Sequence, residues 1–234
     1  MTAGFRVFPL EGIPEVEEGD DLVALLAEAA EQAGGLEDAD VLVVAQKIVS
    51  KAEGRVVYVG DDPVKKESVI EGEAVRIVRR RGGLVIAQTR HGFVCANAGV
   101  DSSNMDPGWV CLLPVDPDLS ARRIRSRIKR LTGRDVAVII SDTFGRPWRE
   151  GQTNVAIGVA GMDPFLDYRG ETDHNDVVLH ATQIALADEL AAAAELVMRK
   201  AERVPVAIIR GVFFRKGRGN ARMLVRNPAE DLFR

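Results

Sequence analysis

Two cysteines, Cys95 and Cys111, are all that the 234 residues contain, and they form no C-x-x-C pair. The three histidines, His91, His174 and His180, show no H-E-x-x-H spacing. Neither a zinc site nor a disulfide framework is therefore expected. No uninterrupted apolar run approaches the ~18 residues of a membrane span, and the opening "MTAGFRVFPLEG" lacks the apolar core of an export signal. One-sided charge is missing too: 31 Lys and Arg stand against 35 Asp and Glu, a net charge of −4. That balance gives no reason to expect nucleic acid or a membrane surface as a partner. The expected home is the reducing cytoplasm.

What remains is an ordinary globular composition, 46% apolar and 28% charged. The length suits one large domain or two small ones, and no Ser/Pro/Gly linker or repeat divides it. Apolar runs predict strands over 5–10, 40–49, 55–59, 83–89, 92–99, 110–114, 135–141, 153–161 and 205–211. Helices are predicted over 20–32, 64–80, 118–131 and 176–200, the first started by Asp20 or Asp21 and ended by Gly34-Gly35. The last of them, "DVVLHATQIALADELAAAAELVMRK", is rich in alanine and suits close packing against another helix or a partner subunit. Neighbouring strands mix with strand–helix pairs, which favours an α+β fold over a regular doubly wound sheet.

Four stretches have the makings of a site. In "IISDTFGRPWREG" an oily strand delivers Asp142 and Thr143, oxygen ligands suited to a hard cation, ahead of Arg146 and Arg149, which can grip phosphate or carboxylate oxygens. The simpler alternative is a turn with surface ion pairs. In "CANAGVDSSNM", Asp101 and Asn104 stand three apart and can face one point, with Asn97 nearby; the alternative is an Asx-turn serving local backbone. "VSKAEGR" puts Lys51 after an apolar strand as a point charge for a terminal phosphate, and Gly12 in "PLEGIP" can admit a ligand close to the backbone. Both also read as turn residues, and no P-loop is present. The basic residues of 118–131 (Arg122, Arg123, Arg125, Arg127, Lys129, Arg130) read as a solvated helix face, with capture of an anion as the alternative.

Taken together, "PLEGIPEVEEGDDL", "VLVVAQKIVSKAEGR", "CANAGVDSSN" and "ISDTFGRPWREGQTNVAIG" resemble the coenzyme F420-0:L-glutamate ligase family, and "ALADELAAAAELV" and "LVRNPAEDLF" extend the likeness. It is closest to the family's bacterial branch, without the nitroreductase-like domain often fused there, and covers residues 1–234 as a single module that can divide into two lobes. The resemblance implies an α+β fold of mixed and antiparallel sheets with flanking helices in an intertwined homodimer. It implies GTP and Mg²⁺ or Mn²⁺, two ions per site, with room for a monovalent cation such as K⁺. The implied partners are GTP, L-glutamate and coenzyme F420-0, a deazaflavin whose phospholactyl carboxylate receives the first glutamate before further γ-linked ones.

By the same resemblance Asp101, Asp142 and Thr143 match metal positions, and Asn104, Ser50, Lys51 and the segment Leu10, Glu11, Gly12, Ile13 and Pro14 match nucleotide contacts. Asp101, Asp142 and Lys51 would be catalytic, and Arg146 and Arg149 would hold substrate. Asp188 falls in a further motif without an assigned role. Asn154 stands where relatives usually have aspartate, and Asp176 where they commonly have glycine. The expected chemistry is γ-phosphoryl transfer to the acceptor carboxylate, then attack by the glutamate amine on the acyl phosphate. A metal-dependent phosphohydrolase using the same aspartates, or a non-catalytic nucleotide-binding module, are the rival readings.

Overall fold

The apolar runs near residues 41, 138 and 207 come to lie side by side. In a computed structural model describing residues 4–232, Arg6–Pro9 form β1, Leu22–Gln32 α1, Val41–Ala45 β2 and Gln46–Ala52 α2. Next come β3 (Val56–Tyr58), α3 (Pro63–Glu73), β4 (Ala74–Arg81), β5 (Leu84–Thr89), β6 (Val94–Ala96) and β7 (Trp109–Cys111). The chain continues through α4 (Pro117–Thr132), β8 (Ala137–Arg146), β9 (Arg149–Ala160) and β10 (Leu166–Asp167). It closes with β11 (Gln183–Ile184), α5 (Leu186–Met198) and β12 (Val206–Arg210). Residues 1–3 and 233–234, among them Phe233 of the terminal motif, lie outside the described residues.

The main sheet has the order β1-β12-β2-β8-β9, with β2 and β8 parallel and every other neighbour antiparallel. Successive side chains of a strand face opposite sides. Leu42, Val44, Val138, Ile140, Val206 and Ile208 therefore meet α1, α2 and α4, while Val41, Val43, Ala137, Ile139, Ala207 and Ile209 meet α5. Strands covered on both faces read as unbroken apolar runs. The chain from 53 to 113 builds smaller pieces, a β3–β7 ribbon and a β4-β5-β6 antiparallel sheet, around a separate core that includes Val59, Ile70, Ala87 and Val110. The fold is thus α+β with mixed and antiparallel sheets, as expected.

Several boundaries differ from the sequence reading. The run predicted as a strand over 40–49 turns helical at Gln46, because Ile48 and Val49 then reach the core while Lys47 and Lys51, four apart, share the outer face. The helix predicted over 64–80 stops at Glu73, and the arginine-rich remainder is the edge strand β4. Charge on an edge strand discourages pairing with another chain. Of the helix predicted over 176–200 only Leu186–Met198 forms, and Gln183–Ile184 pair instead with Leu166–Asp167. Only Val94–Ala96 of the strand predicted over 92–99 is extended; Asn97–Gly99 make a tight turn with all three residues at positive φ. The alanines of α5, Ala187, Ala191 and Ala194, pack on the chain's own main sheet rather than on another helix.

Candidate active site

The carboxyl ends of the parallel pair β2 and β8 set the site. Their register runs from Val41–Ala137 to Ala45–Ser141, so the next residues, Gln46-Lys47 on one strand and Asp142-Thr143 on the other, emerge together. This edge of a parallel pair is where α/β sheets commonly receive ligands. Asp142 and Thr143 do not end a strand, as the sequence suggested, since β8 runs on to Arg146 and turns back as a long hairpin.

Asp101 reaches the same place from the neighbouring turn, held by a two-residue bridge to Cys111 of β7. Its Oδ2 accepts from Lys47 Nζ at 2.9 Å and from Ser103 Oγ at 2.6 Å, and its Oδ1 accepts from Ser103 N at 2.8 Å. Lys47 also donates to the Ser103 carbonyl and hydroxyl. Burial works against the Asp101 charge, but the Ser103 and Lys47 hydrogen bonds outweigh it and hold the carboxyl below its ordinary value. Asp142 has the opposite balance. Burial and then the nearby Asp101 charge push it up to about 6, against the Thr143 amide, Lys200 and Lys47.

Thr143 lies opposite Asn154 and donates to its Oδ1 at 2.7 Å; Asn154 Nδ2 in turn donates to Glu195 Oε2 of α5 at 2.9 Å. The proton of the Thr143 hydroxyl is thereby committed, and its lone pairs remain for other partners. Arg146 and Arg149 are cross-strand partners in the hairpin, and among the described residues neither guanidinium pairs with a carboxylate. Arg146 donates to the Glu150 carbonyl, but its Nε is buried without a partner, as is Ser141 Oγ beside Asp142.

The remaining sequence candidates are spread around this centre. Lys51 sits in the last turn of α2, not after a strand, and its ammonium pairs with Glu15. Ser50, on the inner face of α2, is buried with its hydroxyl donating to Gln46 Oε1 at 2.9 Å. Leu10 is fully buried and takes a backbone bond from its N–H to Val206 O, whereas Glu11, Gly12 and Pro14 are exposed and Ile13 is half-buried. Gly12 has φ +81°, which a side chain would strain. Asp101 and Asn104 do not face one point: Asp101 makes the local Asx-type bond to Ser103, while Asn104, at φ 52°, donates to the Lys200 carbonyl at 3.1 Å. Asn97 accepts from Val85 N and serves the backbone. Asp188 likewise accepts from Ala156 N at 2.8 Å, tying α5 to β9 where the β8–β9 register shifts. Asp176 lies at φ 60° in a loop, its N–H bonded to Asp173 O.

Lys47 is the functional candidate that sequence reasoning passed over. Its signal was present: in "QKIVSK" it lies four residues before Lys51, on the same face once the segment is helical. Among the described residues no group of three or more His, Cys, Asp or Glu gathers to hold a metal by itself. Two carboxylates, one of them disfavoured as an anion, instead suit a hard divalent ion whose other ligands are phosphate oxygens and waters.

The profile of the family described as F420-0:Gamma-glutamyl ligase matches residues 12–211. A coenzyme F420:L-glutamate ligase of Methanothermobacter thermautotrophicus is 44% identical over 251 aligned positions, covering 99% of each chain. One of Methanopyrus kandleri is 44% identical over 255, again covering 99% of each. One of Methanocaldococcus jannaschii is 44% identical over 216, covering 85% of this chain and 86% of its own. All three come from archaea, so the likeness extends beyond the bacterial branch. The profile match over most of the chain and the near full-length identity place this protein in the F420-0:gamma-glutamyl ligase family.

Proposed function

We propose that the protein joins L-glutamate to the phospholactyl carboxylate of coenzyme F420-0 at the expense of GTP, then adds further glutamates through γ-linkages. The observation that carries this reading is the meeting of Asp101, Lys47 and Asp142 at the carboxyl ends of β2 and β8 in a chain of this family. A carboxylate is a poor electrophile, so amide synthesis first needs a leaving group on it. The acceptor carboxylate attacks the γ-phosphorus, the β–γ bridging bond breaks, and GDP leaves with the bond pair. The glutamate amine then adds to the acyl carbon, loses a proton and expels inorganic phosphate.

Each residue has a part in that sequence. Asp101 and Asp142, with the Thr143 hydroxyl, would hold the Mg²⁺ or Mn²⁺ ions, which when bound offset charge on the phosphate oxygens. Lys47, already at Asp101, is placed to contact the transferred phosphoryl group. Lys51, Asn104 and the segment Glu11–Pro14 would form the nucleotide end, with the buried Ser50 and Leu10 supporting it from beneath. Arg146 and Arg149, like charges directly opposite one another, destabilise the free hairpin and gain from an anion between them. The acceptor's phosphodiester or the incoming glutamate supplies one. The reading includes a homodimer, to be checked by light scattering at micromolar protein.

The test is isotopic. With both oxygens of the acceptor carboxylate labelled, one heavy atom should appear in inorganic phosphate for each first amide formed, with one GDP per glutamate. Label in GMP would mean nucleotidyl transfer, and amide without labelled phosphate would rule out the acyl phosphate. GTP hydrolysis that is indifferent to glutamate and acceptor would point to a phosphohydrolase.

A further inference from the structure

The β3–β7 ribbon shows two different faces. Val57 and Val110 turn into the small core, while Val56, Tyr58, Trp109 and Cys111 share the opposite face, paired as Val56–Cys111 and Tyr58–Trp109. On that face Cys111 is fully buried beside the site, its thiol pushed up to about 11 by burial and also by the charges of Asp101 and Asp142. Two residues further out, roughly 7 Å along the strand, the rings of Tyr58 and Trp109 stand in solvent, 53% and 38% exposed. Their centroids are 5.4 Å apart at 58°, and Lys65 Nζ lies 5.6 Å from the Tyr58 centroid.

The backbone beneath this pair is tied by hydrogen bonds. Gly108 O accepts from both Val59 N and Gly60 N, and a Cβ at Gly108 would come within 2.7 Å of the Tyr58 ring. Neither ring closes a core, and large aromatic surface left in water is costly unless something covers it.

A track of polar contacts joins this platform to the site. Glu15 pairs with Lys51; Lys51 and Lys47 share one face of α2; Lys47 binds Asp101 and Ser103; and Lys66 Nζ reaches Ser102 Oγ at 3.4 Å, next to Lys65. With the nucleotide assigned to the Lys51 end, the aromatic end falls to the other large substrate.

We propose that Tyr58 and Trp109, with Lys65 beside them, form the stacking platform for the acceptor: a planar heteroaromatic ring whose anionic tail runs along the track to Asp101 and Lys47. This rests on the ligase reading above. Stacking on an aromatic side chain is sequence- and substituent-tolerant because it uses the ring face, so the platform would recognise the ring while the site recognises the tail.

The test titrates the acceptor F420-0 into the full-length protein by calorimetry without nucleotide, and measures ligation kinetics in parallel. Trp109→Leu keeps an apolar side chain but loses the ring, and Trp109→Phe keeps a ring. Expected is an acceptor affinity weakened roughly 10-fold or more by Trp109→Leu, largely restored by Trp109→Phe, with KM for the acceptor raised and KM for GTP and saturated kcat little changed. A rise in the GTP KM with unaltered acceptor binding would assign the ring to guanine and overturn the proposal, as would equal acceptor affinity in both variants and wild type. If wild-type protein forms no glutamylated product, the ligase reading fails, while the calorimetry still decides the platform. Equal thermal melts of the two variants exclude misfolding as the cause.

Discussion

The five-stranded sheet and the pieces built from residues 53–113 solve the burial problem differently. In the first, β2, β8 and β12 are covered on both faces, so every side chain of Val41–Val44 and Ala137–Ile140 is inaccessible to solvent or nearly so. In the second, strands are three to eight residues long and mostly half-covered; the four arginines of β4 are all exposed, and only Ala74 and Ile77 of that strand turn partly inward. The doubly covered sheet makes a rigid base, and the singly covered pieces bring a polar turn, Asp101–Asn104, up to its edge. The candidate site lies on this seam. Doubly covered strands position Asp142 and Thr143, while Asp101 is joined to the β3–β7 ribbon by its bridge to Cys111.

The largest effect is expected at the seam. Asp142→Asn should lower ligation by about 1,000-fold, on the order of 4 kcal/mol of transition-state stabilisation, without unfolding the protein. Burial raises the native pKa of Asp142 from 3.8 to about 6, so the folded protein holds a proton that the unfolded chain releases between those values. The wild type loses stability as pH rises from 3.8 to about 6 and no further. The variant should therefore gain stability relative to wild type as pH rises from about 4 to 6 and keep a constant advantage above about 6, and denaturant midpoints across that range check it. Ligation near the wild-type rate in folded protein would remove Asp142 from the chemistry.

The second test contrasts the cores. Ile139→Ala, in the doubly covered sheet, should cost about 2–5 kcal/mol of global stability. Ile70→Ala, in the small core, should cost less globally and chiefly accelerate hydrogen exchange in β4, β5 and β6 while β2 and β8 stay protected. Uniform exchange in both variants would show that the two regions unfold as one. A third effect should come from Asn154→Asp. It removes the amide donor to Glu195 and sets two carboxylates together, costing about 1–3 kcal/mol near neutral pH and less in acid, where a proton can be shared. Thermal melts at pH 5 and pH 7.5 check the difference.

The smallest effect belongs to His91, which ties the small sheets to the chain before α4. Its Nε2 lies 3.0 Å from Pro114 O and 3.1 Å from Val115 O, and its ring stacks on Phe93, which meets Phe144 of β8 edge-on. Burial, opposed by these backbone bonds, lowers its pKa below the ordinary 6.5. The associated stability is fully present above that value and is lost as pH falls through 6.5 toward the native pKa. His91→Gln should flatten the urea midpoint over this window.

Much of the fold was legible because burial on both faces leaves an unmistakable record. The runs at 135–141, 153–161 and 205–211 could hardly be anything but strands of a covered sheet, and Asp21 marks the start of α1 by local chemistry, its side chain accepting from Ala24 N. The aspartates were legible as well, through motifs that need no geometry. Less could be read where one stretch satisfied two periods. "VLVVAQKIVSK" is apolar enough for a strand throughout, and only packing against α1 and β8 makes its second half a helix, which is what brings Lys47 to Asp101. "VKKESVIEGEAVRIVRRR" carries only Gly72 as a weak stop signal, a glycine that a helix can also contain, and pairing of Ala74–Arg81 with β5 decided the boundary. The sequence alone determined which residue types could bind a cation and an anion, because carboxylates and guanidiniums carry that chemistry anywhere. Which of them meet was left to the tertiary structure: residues 47, 101 and 142 are brought together by a parallel strand register and a β-bridge, both long-range contacts that no local pattern encodes.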